Sequence, residues 1–155
     1  ELLRLFPAPA DEDVLPQLAK LVGVASFVSP ARELARQHEK AGQPAWLYHF
    51  TRVSGLGQTT KLGACHAAEI PYVFGALASR AAAEAKDREV SQAMNACWVR
   101  FAKTGDPNGP GLPAWPAYTA ANDAHLEFGD EIKAGTGLHK AACDLFDDAA
   151  AERRK

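Results

Sequence analysis

Between Ala45 and Val53 the chain changes period, and this change limits its fold more than any other feature. Trp46, Tyr48 and Phe50 alternate with Leu47, His49 and Thr51, and a run apolar on both sides suits a strand covered on both faces. Helical spacing precedes it. Behind a capping Asp13, Val14, Leu15, Leu18, Leu21 and Val22 recur at helical intervals, with Pro16 tolerated in the first turn and Gly23 as the stop. Ser29 followed by Pro30 predicts the start of a second helix that runs to Gly42, a residue suited to a left-handed stop.

After the strand, Ser54 to Gly63 reads as a glycine-containing connector, and an alanine-rich segment of mixed charge follows further on. Ser91 is the expected cap of a helix with an apolar stripe of Ala93, Met94, Cys97, Trp98 and Phe101, closed at Thr104-Gly105. Asp106 to Gly111 is turn chemistry that delivers the chain to an aromatic clasp, Trp115-Pro116-Ala117-Tyr118, read as packing against the Trp98 helix rather than as a ligand platform. Ala124, Leu126 and Phe128 alternate with His125 and Glu127 as a short outer strand, and a last helix is expected around Lys140 to Ala151. The fold class is α/β, with central strands flanked by helices.

Composition removes several functions. The 155 residues hold 17 Lys and Arg against 19 Asp and Glu, with no block of one sign, so the footprint of a nucleic-acid binder is missing. No unbroken apolar run reaches the roughly 18 residues of a membrane span, so none is expected. Hydrophobic residues at 47% supply enough apolar surface to argue against disorder. Cys65, Cys97 and Cys143 show no CxxC spacing; they allow one disulfide plus a free thiol and leave the compartment open. Glu1-Leu2-Leu3-Arg4-Leu5-Phe6 reads as the middle of a polypeptide, without the pattern of a signal peptide, so a piece of something longer is expected.

The chemistry is concentrated in Gly63-Ala64-Cys65-His66-Ala67-Ala68-Glu69-Ile70-Pro71-Tyr72-Val73-Phe74, on the loop after the strand. Loops at strand ends are where α/β proteins place functional groups. By position alone His66 has two readings, a structural ring or a catalytic one, and Glu69 three residues on raises the second. As metal ligands the two lack a third partner nearby. Cys65 suits packing better than nucleophilic work, and the glycines of Gly55-Leu56-Gly57 lack the helix that a phosphate loop needs. His38, His49, His125 and His139 show no constellation.

This string resembles the catalytic-histidine segment of type-B carboxylesterases. A second block agrees in order: Trp98-Val99-Arg100-Phe101-Ala102-Lys103-Thr104-Gly105-Asp106-Pro107-Asn108, then Trp115-Pro116-Ala117-Tyr118, is similar to the family's C-terminal helix and turn. The strand around Tyr48 and the Ser29-Pro30 helix fit in place, whereas Ala67 stands where glycine is common. The resemblance implies an α/β-hydrolase in which serine, acid and histidine come in that chain order. His66 would be the general base of ester hydrolysis through an acyl-serine intermediate, with no metal or organic cofactor, and Glu69 a carboxylate helping to hold the loop. A plain salt bridge or helix-start role for Glu69 stays open.

The serines are Ser26, Ser29, Ser54, Ser79 and Ser91, and none stands in a GxSxG elbow. The family's acid also lies further upstream of the histidine than this sequence extends, so Asp11, Glu12 and Asp13 are read as a solvated helix start. The expectation is that residues 1–155 form the C-terminal segment of a single α/β-hydrolase domain, incomplete without an N-terminal partner segment carrying the serine and acid. The substrate would be a small-molecule ester, and the isolated chain would be inactive. Exposed apolar faces of Trp46, Tyr48, Phe50 and Trp98 would rest on that partner. The alternatives are a non-catalytic binding or adhesion module of the same fold, or an independent α/β binding module.

Overall fold

The computed structural model describes residues 1–55, 63–77 and 83–153. Most of the predicted connector, and residues 78–82 of the alanine-rich segment, therefore lie outside the described residues. The elements in chain order are α1 (Leu2–Leu5), α2 (Asp11–Gly23), a π-helical turn (Val24–Val28), α3 (Ser29–Lys40), β1 (Tyr48–Phe50), α4 (Ile70–Val73), α5 (Ala85–Thr104), β2 (Ala124–Phe128), β3 (Ile132–Thr136) and α6 (Lys140–Glu152). They divide into two units: residues 1–47, 118–124 and 136–155, and residues 48–117 and 125–135.

The first unit is helical. Asp11, Glu12 and Asp13 occupy the first turn of α2, where carboxylates complement the helix dipole, and the Ala10 amide donates to Asp13 Oδ2 at 3.2 Å. Gly23 does not stop the helix. Its φ and ψ of −59° and −45° are right-handed helical, and the chain continues through the π-turn, where the Ser29 amide reaches Val24 O, into α3. Pro30 explains the wider turn: its ring has no N–H and would press on the carbonyl four residues back, which an i→i−5 turn relieves. Ser29 is thus inside a continuous helix rather than its cap, while the predicted stop holds, with α3 ending at Lys40 and Gly42 at φ +69°.

Val24 anchors this helix in a core with Phe6, Ala142 and Cys143, flanked by Leu5, Leu21, Val28 and Phe146. The apolar residues Val14, Leu15, Leu18 and Val22 face outward instead. The thirty-residue helix Asp11–Lys40 also holds an eighteen-residue window of mean hydropathy 1.3, which meets the needs of a membrane crossing by length and composition alone.

The second unit carries a three-stranded mixed sheet in the order β1-β2-β3. β1 and β2 are parallel, with Tyr48 opposite Leu126, His49 opposite Glu127 and Phe50 opposite Phe128. β3 follows β2 after Gly129, Asp130 and Glu131, a connection short enough only for an antiparallel hairpin. The predicted outer strand is therefore the central one, which is why Leu126 and Phe128 and also His125 are buried. β1 is shorter than predicted and only half-covered, with Tyr48 its least covered residue at 38% exposure.

An aromatic cluster packs on this sheet. Trp98 lies 5.3 Å from Trp115 and 5.9 Å from Phe128 between ring centroids, and Trp115 lies 5.5 Å from Phe128. The Asn108 side chain accepts from the Trp115 amide and donates to its carbonyl, so the clasp is held as a strand partner would hold it. Packing against the Trp98 helix is thus its role, as expected. α5 begins after Glu84 rather than at Ser91, and it ends at Gly105 with φ +76°, the left-handed stop predicted.

Candidate functional site

Strand β1 positions the site. Tyr48 lies on it, with its ring edge-on to Trp98 at 5.1 Å, and its hydroxyl reaches Glu69 Oε1 at 3.4 Å. Burial first, then the Glu69 carboxylate, push the Tyr48 hydroxyl up to about 12, so it remains a proton donor to that carboxylate at neutral pH. Glu69 therefore has a partner from another element.

His66 stands on the turn that precedes α4 and is exposed. The Ala68 amide donates to Cys65 O at 3.0 Å, and the amides of Tyr72 and Val73 both donate to Glu69 O, at 2.8 and 3.0 Å. The turn is tight enough to force Ala67 to φ +67°, a left-handed conformation that costs a side-chain-bearing residue about 1–2 kcal/mol. Glycine suits that conformation, so Ala67 stands where a residue without a Cβ would carry no such cost.

Behind the turn lies a buried network that sequence reasoning missed. Asp87, fully buried near the start of α5, accepts from Arg52 Nε and from the Tyr72 hydroxyl, each at 2.7 Å, and its other oxygen accepts from the Glu84 amide at 2.7 Å. Arg52 also donates to Glu84 Oε2 at 2.6 Å and to Asp130 Oδ1 at 2.8 Å. Burial pushes the Asp87 carboxyl upward, but the donors Arg52, Tyr72 and the Glu84 amide outweigh it and hold the carboxyl below its ordinary value. The available signal was Glu84 followed three residues later by Asp87, a helix-start spacing, while nothing in the sequence marked Arg52 as the partner.

The other histidines stay apart from this turn in role. His49 and His125 face each other across β1 and β2 at 6.4 Å between ring centroids, a pairing the sequence reading did not see. His139 precedes α6, where burial and then Lys20 hold its imidazole below the usual value. Cys65, Cys97 and Cys143 are all free thiols, so the disulfide that the count allowed is not formed. Among the described residues, no three His, Cys, Asp or Glu side chains converge as a metal site would need.

The mixed α/β unit carries an exposed histidine on the turn that precedes α4, and a fold of this kind by itself hosts many unrelated functions. Comparison with known proteins makes the class specific. The model of the carboxylesterase family matches residues 7–146. Over 137 residues the chain is 33% identical to carboxylesterase 5A of Canis lupus familiaris, covering 83% of this chain and 24% of that protein. Against the fumonisin B1 esterase of Sphingopyxis macrogoltabida it is 32% identical over 144 residues, covering 87% and 26%. Carboxylesterase 4A of Bos taurus is 38% identical over 122 residues, covering 77% of this chain and 22% of that protein. The chain belongs to the carboxylesterase family, which implies the α/β-hydrolase fold. It spans about a quarter of the length of the curated relatives it matches.

Proposed function

We propose that this chain supplies the general-base histidine, His66, of a serine carboxylesterase. The observation that carries the reading is the exposed His66 turn, held from behind by the Tyr48–Glu69 contact, within a chain of the carboxylesterase family. In this reading residues 1–155 are the C-terminal segment of one α/β-hydrolase domain, and a preceding segment contributes the serine and the acid. The isolated chain is then inactive. The substrate is a small-molecule carboxylic ester.

The proton inventory follows from an imidazole's ability to act as base and then as acid. His66 takes the serine hydroxyl proton as the oxygen bonds to the ester carbonyl carbon. The tetrahedral intermediate collapses, the alcohol oxygen leaves, and the imidazolium returns the proton to it. Water then attacks the acyl-serine with His66 again accepting the proton, and the serine oxygen regains it as the carboxylic acid departs. Glu69 keeps the turn and its water network in place.

The test uses the full-length protein. His66→Ala is expected to reduce ester turnover by about 10⁴-fold or more while leaving the unfolding midpoint unchanged. Labelling with a fluorophosphonate should mark a serine outside this sequence. Substantial turnover by His66→Ala, or a labelled residue within positions 1–155, would overturn the reading.

A further inference from the structure

We propose that Asp87 is a positioning residue for the His66 turn, acting through the Tyr72 hydroxyl. This deepens the reading of His66 as general base and rests on it.

The turn runs directly into the short helix α4, Ile70–Val73. Three hydrogen bonds fasten that helix to α5: the Tyr72 hydroxyl donates to Asp87 Oδ1 at 2.7 Å, Ser91 Oγ donates to Tyr72 O at 2.9 Å, and Asn95 Nδ2 donates to Val73 O at 2.8 Å. The Tyr72 ring also packs edge-on against Phe50 of β1 at 4.8 Å. Of the three, only the bond to Asp87 is charge-assisted, and such O–H to carboxylate bonds are the shorter and stronger kind.

Asp87 is itself immobilised. Arg52, two residues beyond the end of β1, forks from Asp87 to Glu84 and to Asp130 on the β2–β3 turn. One carboxylate thus links the end of β1, the β-hairpin, the start of α5 and the segment that carries His66. Packing alone does not require a buried charge at this place, since an apolar residue of similar size fills such a position without desolvating an ion pair. What the charge adds is direction: Asp87 Oδ1 fixes the Tyr72 hydroxyl, and through a four-residue helix this sets where the His66 turn ends. General-base catalysis is sensitive to such placement, because a displacement of about 1 Å costs on the order of 10²-fold in rate.

Tyr72→Phe keeps the ring and its contact with Phe50 and removes only the hydroxyl. In the full-length protein it is expected to lower kcat about tenfold with KM within about twofold of the parent, and to slow fluorophosphonate labelling in proportion. Ser91→Ala, which removes a second tether from the same helix, should lower kcat in the same direction by a smaller factor. It serves as the readout if Tyr72→Phe fails to fold. Parent-like kcat in a folded Tyr72→Phe, with only a lower unfolding temperature, overturns the proposal and makes the network a structural brace. His66→Ala is measured alongside: if it retains turnover, the general-base reading itself falls, whereas an inactive His66→Ala with a fully active Tyr72→Phe removes the positioning role alone.

Discussion

Arg32 and Asp123 meet as a two-point fork, Nε to Oδ1 at 2.8 Å and Nη2 to Oδ2 at 2.9 Å, with both side chains buried. The pair joins α3 to the turn that precedes β2, and Arg32 Nη1 extends it to Asp144 of α6 at 2.8 Å. Burial lowers the tendency of Arg32 to carry charge, but the bonds to Asp123 and Asp144 more than reverse this, so the guanidinium is permanently charged. Arg32→Ala leaves Asp123 as an uncompensated buried charge and should cost about 3–5 kcal/mol. Arg32→Lys should recover only part of that, because an ammonium cannot fork. Denaturant midpoints of the parent and both variants check the order; equal midpoints would refute it.

The Asp87 carboxyl lies below its ordinary value in the folded protein, so folding favours its ionised form. The sign follows from linkage: this contribution is complete above roughly pH 4, the unfolded value for aspartate, and is lost as the pH falls through the folded value. Unfolding midpoints of the parent should therefore drop on acidification below about pH 4. Asp87→Asn should start lower and show a shallower acid limb. Parallel curves for the two proteins would show that other carboxylates set the acid limit.

Gly135 of β3 has no room for a side chain. A Cβ there would lie 2.7 Å from Cε1 and 2.8 Å from Nε2 of His125, whose ring is buried. Gly135→Ala is expected to destabilise by about 1–3 kcal/mol, through displacement of the His125 ring. Calorimetry on Gly135→Ala and on Gly135→Ala with His125→Ala distinguishes this cause: the second change should remove much of the cost of the first.

Thiol reactivity should sort by burial. Burial pushes the Cys97 thiol up to about 11, and Cys143 also lies above its usual value, chiefly through burial, whereas Cys65 is exposed. At pH 8 an excess of a disulfide reagent should modify Cys65 in the native protein, and all three cysteines only after unfolding. Peptide mass mapping of modified native protein reads this directly, and early modification at Cys97 would contradict it.

Elements whose ends are coded by a single residue were legible in the sequence. Gly42 and Gly105 both adopt the left-handed conformation that ends a helix, and α6 and β2 fall where periodicity predicts them. Gly23 misleads because its neighbour Val24 is pulled into the core with Phe6, Ala142 and Cys143, so the helix continues past a residue that otherwise favours stopping. Ser91 misleads for a related reason: its hydroxyl is engaged with Tyr72 O, and the true helix start is at Glu84, where Asp87 supplies the local bond. β3 escaped notice because Gly135 breaks its apolar pattern, and that glycine is present to admit the His125 ring.

The candidate site divides in the same way. His66 and Glu69 lie within one string, so their proximity and their resemblance to a known catalytic segment were readable from residues alone. Helix stops, strand alternation and the location of that string are local, and local sequence determined them. The burial of Arg52, Asp87, Arg32 and Asp123 was decided only by tertiary structure. Their partners lie 35 and 91 residues away, and no short-range pattern encodes which distant carboxylate a guanidinium will meet. A charge leaves water only where folding supplies a complete set of partners, so these residues acquire their roles from the assembled protein rather than from their neighbours in the chain.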